Sequence, residues 1–219
     1  MRRFAALLGI LIPLTSFAAT DLTGDMSFMP VVIDPGSPLH VTAAYANLDC
    51  NPATGVVMTI DLPGVDVFRA LPSMCSAEPG RVTCRVAAVP PREDFTYIEF
   101  DAVAPDDPTL RTLPVTLQIT ENETDADPFN NRFESDRPVY QTFYVTNMND
   151  DGEGSLREQI EAANARCTTR DYCRIGFRID GLRQRGAWHS IALRKPLPAI
   201  TAPVLSIDGV VRTRVADNR

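Results

Sequence analysis

"NMNDDGEGSLRE", residues 147–158, admits two incompatible readings, and the choice between them fixes the fold of the C-terminal third. Against the EF-hand pattern, Asn147, Asn149 and Asp151 fall at loop positions 1, 3 and 5, Gly152 at 6 and Glu158 at 12. An EF-hand needs a helix before its loop. The preceding "VYQTFYVT" instead alternates Tyr140, Thr142 and Tyr144 with Phe143 and Val145, the period of a strand. After the loop, Ser155 and Glu158 form an S-x-x-E capping box, and Leu156, Ile160 and Ala163 recur at helical spacing. In such a box the Ser155 hydroxyl accepts from the Glu158 amide, and the Glu158 carboxylate reaches back to the Ser155 amide. Gly152 and Gly154 permit the sharp turn into the helix. The stretch predicts strand, turn and capped helix rather than a calcium loop.

Upstream, the chain reads as short strands between turns. Leu39, Val41, Ala43 and Tyr45 alternate after the Pro35–Gly36 turn, and "TGVVMTIDLP" follows with Val56, Met58 and Ile60. "RVTCRVAAV" continues the period of two. So does "DFTYIEFDAVAP", where Phe95, Tyr97 and Glu99 oppose Thr96, Ile98 and Phe100, and "RTLPVTLQIT" closes the series. Short strands, many prolines and no helical period predict an antiparallel sandwich.

The cysteines can be placed by geometry. In "CSAEPGRVTC", Pro79–Gly80 suits the centre of a type II turn. A two-residue loop then pairs Glu78 with Arg81 and, three steps out, Cys75 with Cys84 as a close, non-hydrogen-bonded pair. A disulfide is expected there. Cys167 and Cys173 flank "TTRDY" between the helix and the next strand and are expected to form the second bridge. Cys50 is left over, and reads as a buried thiol or, alternatively, as one partner of an intermolecular bridge.

Compartment and charge narrow the function. "MRRFAALLGILIPLTSFAA" has two arginines, an apolar run from Phe4 to Leu14 and small residues at Ser16 and Ala18, which reads as a signal peptide cleaved near Ala18. The run is too short for a span of ~20 residues. From Asp21 to Arg137 there are 19 acids and 7 bases, and from Pro138 to Arg219 there are 9 acids and 12 bases. The acidic first part speaks against nucleic acid or anionic membrane as a partner. The scattered positive balance of the second reads as a solvated surface.

Two resemblances follow from these residues. "IDPGSPLHVTAAYAN", "NPATGVVMTIDLPGVDVF", "CSAEPGRVTCRVAAVPP" and "DADPFNN" together resemble the Ig-like repeat called domain of unknown function 11, over residues 21–135. That resemblance implies a spacer or display module of secreted bacterial proteins, without established catalytic residues. "FYVTNMNDDGEGSLREQIEAANA", "CRIGFRIDG", "HSIALRKPLPAI" and "VLSIDG" resemble the start of secreted right-handed parallel β-helix proteins, including those with the CSLREA motif, over residues 141–209. Gly154 stands in place of that motif's Cys and Gln159 in place of its last Ala. The resemblance implies that the helix caps the first rung. From the residues themselves, Ile175, Phe177 and Ile179, then Ile191 and Leu193, then Val204 and Ile207 predict three short strands that bury their inward faces by stacking. About 50 residues follow the cap, room for roughly two coils where solenoids take three or more, so a truncated β-helix is expected.

Other chemistry is sparse. His40 and His189 are the chain's two histidines and fall in different halves, which disfavours a His-based zinc site or a serine triad. Trp188 beside His189 reads as a strand-edge aromatic, with sugar stacking as the alternative. Glu121 to Asp127 reads as a solvated acidic loop, with calcium between the halves as the alternative. The expectation is an all-β chain: a signal peptide at 1–18, an Ig-like β-sandwich at 21–135, a linker and run-in to the first strand at 136–142, and the cap and first coils of a right-handed parallel β-helix at 143–219. Its expected function is non-enzymatic, that of a secreted, periplasmic or envelope-associated structural or adhesion protein. The expected partner is an extracellular glycan or cell-surface component, with no cofactor, metal, nucleic acid or membrane insertion. The rival is a fragment of a β-helix polysaccharide lyase or glycoside hydrolase, for which Asp180, Asp208 and Lys195 are loose candidates. A third reading is a spacer without ligand.

Overall fold

The computed structural model describes residues 19–92, 94–179 and 190–211. The signal segment at 1–18 lies outside the described residues, as do Asp180, Trp188, His189 and the terminal 212–219. The first strands are β1 (Ala19–Thr20), β2 (Leu22–Met29), β3 (Pro38–Asn47), β4 (Ala53–Asp61), β5 (Phe68–Arg69) and β6 (Cys75–Glu78). Next come β7 (Arg81–Val89), β8 (Thr96–Val103), β9 (Thr112–Thr120), β10 (Thr124–Asp125), β11 (Arg132–Pro138) and β12 (Tyr140–Val145). The helix α1 (Leu156–Arg166) precedes β13 (Tyr172–Phe177) and β14 (Leu205–Val211).

Two antiparallel sheets, ordered β2-β3-β8-β5 and β11-β9-β4-β7-β6, face each other. The alternation that marks the strands also fills the space between them. Leu39, Val41, Ala43, Ile98 and Phe100 meet Met58, Ile60, Val82, Leu117 and Ile119, all essentially inaccessible to solvent. This is an Ig-like β-sandwich core, stabilised mainly by apolar area removed from water. Four strands carry no clear alternation in the sequence. In β2 the inward series is interrupted by Gly24, where a Cβ would meet the Ile119 and Leu117 side chains at 2.7 and 2.8 Å. In β11 only Phe133 packs on the core, and charged residues fill the outward positions. β1 and β10 are two-residue pieces that pair with each other in parallel.

The edge hairpin has the register expected from its turn. Glu78 lies opposite Arg81, and Cys75 opposite Cys84, with 4.0 Å between their Cα atoms and a disulfide joining them. Gly80 takes a φ of +76°, which an L side chain rarely adopts. Cys50 is exposed in the loop after β3, which corrects the reading of it as a buried thiol. The strand alternation ends at Asn47, so nothing carries Cys50 into the core.

Beyond the sandwich, β12, β13 and β14 form a parallel sheet in that order. Its apolar face gathers Val145, Ile175 and Ile179 with Ile160 of α1, flanked by Phe143, Phe177 and Leu205. A second disulfide joins Cys167, at the end of α1, to Cys173 in β13. The strand expected at Ile191–Leu193 is not formed. The segment runs straight into Pro196 and Pro198, which have no amide to offer a ladder. β12 supplies the third strand instead. Residues 136–142 hold the end of β11 and the start of β12, and at Val139 between them the chain pairs with Ile33 in a parallel bridge.

Candidate functional site

The 147–158 loop is built by its own side chains. Ser155 Oγ accepts from the Glu158 amide at 3.2 Å, as a capping box requires. The Glu158 carboxylate takes the Gly154 amide at 2.7 Å, one residue earlier than expected, because the Ser155 amide already donates to the Gly152 carbonyl at 3.1 Å. Asn147 Oδ1 accepts from the Asn149 amide, while its Nδ2 donates to the Glu153 carbonyl. Asp151 accepts from the Gly152 amide and from Lys195 Nζ at 2.7 Å, and the Lys195 bond holds its carboxyl below the usual range. The Asn147, Asp151 and Glu158 side chains, which imitate calcium ligands, are thus engaged in shaping the turn. At Gly154 a Cβ would lie 2.1 Å from Thr146 Oγ1.

Arg157, which sequence reasoning passed over, organises this region. It is buried, and donates to the Asp150 carbonyl and carboxylate at 3.0 and 2.9 Å, and to the carbonyls of Pro196 and Lys195 at 2.6 and 3.0 Å. Two turns along α1, Asn164 donates to the Ala199 carbonyl and accepts from the amides of Thr201 and Ala202. One helix face therefore holds the strandless, proline-bearing stretch from Lys195 to Ala202. No sequence signal marks Arg157, because its acceptors beyond Asp150 are backbone carbonyls of a distant segment.

The other face of the parallel sheet carries aromatic and arginine side chains in register. Tyr140 lies opposite Tyr172, and Thr142 opposite Arg174. The Tyr140 and Tyr172 rings meet edge to face at 6.4 Å. The Arg174 guanidinium lies 4.5 Å from the Tyr140 centroid, donates to Thr142 Oγ1 and pairs with Asp34 of the sandwich. Arg178 sits over Tyr144 and donates to its hydroxyl at 2.7 Å. Where this face meets the sandwich, a cleft of about 610 Å³ is lined by Val31, Asp34, Tyr140, Arg174, Ile207 and Asp208, among others. A second pair, Arg111 with Asp171 at 2.6 Å, and a bond from Gln141 Nε2 to the Leu110 carbonyl join the same two regions. The Asp171 carboxyl is held low, chiefly by Thr168 and further by Arg111.

The remaining candidates stand apart. His40 pairs with Asp101 at 2.9 Å on the exposed face of the two inner strands β3 and β8. Asp208 lines the cleft, whereas Lys195 is paired with Asp151 beside the loop. In the acidic run from Glu121 to Asp127, Asn122, Thr124, Ala126 and Asp127 are exposed, as a solvated loop requires, and two of its carboxylates also bind neighbouring backbone. The Glu123 carboxylate accepts from the Thr54 hydroxyl and amide at 2.6 and 2.7 Å, which holds its pKa low, and Asp125 accepts from the amides of Leu22 and Asp127. Among the described residues no cluster of three or more His, Cys, Asp or Glu side chains is arranged to hold a metal, and no helix is long and apolar enough to cross a membrane.

No family model matches the sequence, and no curated protein is significantly similar to it. Among solved structures, the solution structure of a CARDB domain from Pyrococcus furiosus is 13% identical, covering 56% of this chain and 97% of that domain, with a TM-score of 0.41. A crystal structure of the same CARDB domain, in complex with di-metal ions, is 16% identical over 61% of this chain and 99% of its own, also at 0.41. A cohesin module from a Clostridium perfringens family 33 glycoside hydrolase is 10% identical over 55% and 98%, at 0.40. Likeness at these values says nothing of ligand or activity.

Proposed function

We propose that this chain is an exported, non-enzymatic structural or adhesion-type protein. In it an Ig-like sandwich, residues 21–135, presents the first coils of a right-handed parallel β-helix, residues 143–219. The observation that carries this reading is the join. The Ile33–Val139 bridge, the largely buried Arg174–Asp34 pair and the Arg111–Asp171 pair fasten the parallel sheet to the sandwich, so the sheet's orientation is imposed rather than left to a linker. The disulfides Cys75–Cys84 and Cys167–Cys173 support an oxidising compartment, in keeping with a signal peptide at residues 1–18. The face around Tyr140, Tyr172 and Asp208 is the surface assigned to a glycan or other cell-surface component. It offers aromatic rings to a sugar face and polar groups to hydroxyls.

The test uses the mature chain on immobilised neutral and acidic polysaccharides, with a parallel assay for new reducing ends and unsaturated products. Retention without product release is expected, together with loss of retention in Tyr172→Ala, a residue 42% exposed. Release of product would replace this reading with that of a lyase or hydrolase. Absence of retention on every surface would leave the spacer reading in its place.

A further inference from the structure

Six buried side-chain atoms among the described residues make no hydrogen bond, and five of them are oxygens in one region: Thr20 Oγ1, both carboxylate oxygens of Glu121, Asn130 Oδ1 and Asn131 Oδ1. Pairing of β1 with β10 sets Thr20 opposite Asp125, and Asn131 Nδ2 donates to Asp125 Oδ2 at 2.9 Å. That bond fixes which way the Asn131 amide points, since a flipped amide would place oxygen against carboxylate. Thr20 is fully buried and Asn131 is 5% exposed. The Thr20 hydroxyl and the Asp125 carboxylate both act on the Glu121 carboxyl, Thr20 favouring its charged form and Asp125 its protonated one. Buried acceptors without donors are costly, and a buried carboxylate without a partner is the costliest of them. The chain's single lysine, Lys195, is engaged with Asp151.

We infer that Thr20, Glu121, Asp125 and Asn131 form a binding site for a hard divalent cation of the calcium class, which fastens β1 to β10. The donor set is all oxygen, mixing carboxylate, hydroxyl and amide. Calcium accepts such a mixture in flexible geometry, whereas magnesium demands a strict octahedron. The inference does not depend on the proposed function. Burial, foremost, and the neighbouring Asp125 and Glu123 carboxylates push the Glu121 carboxyl up to about 7. A proton therefore competes with the cation, and calcium binding strengthens as pH rises from 6 to 8. Without calcium, the folded chain keeps between pH 4.5 and 7 a proton that the unfolded chain has lost, so stability falls as pH rises through that window.

Calorimetric titration of the full chain with calcium chloride at pH 7.5, with melting curves in calcium, magnesium and EDTA, tests the site. One calcium per chain and a clear calcium-dependent rise in melting temperature are expected, with a smaller response to magnesium. Glu121→Gln should weaken binding at least 100-fold while melting in EDTA no lower than the parent at pH 8, because the amide removes a buried charge. Asp151→Ala, in the 147–158 loop, should bind calcium as the parent does. No calcium heat at millimolar concentration, undiminished binding by Glu121→Gln, or loss of binding in Asp151→Ala would each overturn the inference. A melt that rises as pH falls from 8 to 5.5 but ignores calcium would make Glu121 a proton site and overturn it too.

Discussion

The sandwich and the parallel sheet are neighbours in one chain but are held by different forces. In the sandwich 26 buried apolar side chains among the described residues form one cluster, so its geometry follows from area removed from water, and many positions share the stabilisation. Among the described residues, the cluster behind the parallel sheet has four such residues, with six half-buried ones packed against them. There the shape comes from directed polar contacts: Arg157 on two backbone carbonyls and Asp150, Asn164 on the 199–202 backbone, and a disulfide across the α1–β13 connection. Among the described residues, directed hydrogen bonds fix the placement of this unit's non-strand segment. The same contacts make it brittle, because a lost buried partner leaves groups that water cannot reach.

That contrast can be broken by experiment. The largest effect should come from Arg157→Ala, which leaves Asp150 and two carbonyls without their donor: a loss of about 4 kcal/mol, the range seen when one partner of a buried pair is removed. Calorimetry should show the C-terminal transition moving well below that of the sandwich. A change under about 1 kcal/mol would mean that apolar packing, not the clamp, holds the unit. Next is joint replacement of Cys75 and Cys84 by Ala, expected to cost about 2–3 kcal/mol on the chain-entropy account of a short loop. The loss should fall on the sandwich transition alone, and an equal shift of both transitions would show that the two regions unfold as one. The smallest effect is Ser155→Ala, about 1 kcal/mol for a lost helix cap, confined to the C-terminal transition. If calcium restored that loss, the 147–158 loop would be a metal site after all.

Legibility followed the same division. Leu39, Val41 and Ala43, or Met58 and Ile60, announce their strands because burial on one face of a strand imposes a period of two. The Cys75–Cys84 register was readable because a two-residue turn counts the pairs outward from itself. β2 and β11 were not readable, since Gly24 leaves its inward place to Leu117 and Ile119, and β11 shows mostly charge. The capping box was legible to within one residue; the Gly152 carbonyl took the Ser155 amide and moved Glu158 to Gly154. Arg157 was illegible because two of its acceptors are backbone carbonyls 38 and 39 residues away, which no side-chain pattern encodes.

By itself, then, the sequence determined what is local. Alternation placed the core-facing positions of the main sandwich strands, a turn set one hairpin's register, and S-x-x-E after a strand settled where α1 begins. Tertiary structure alone decided what depends on distant backbone. It set Asp34 against Arg174, exposed Cys50, denied a strand to Ile191–Leu193, and brought Thr20 to Glu121 and Asp125. The physical reason is range: a hydrophobic period is written in neighbouring residues, whereas a buried polar partner is chosen by whichever backbone the fold carries past it.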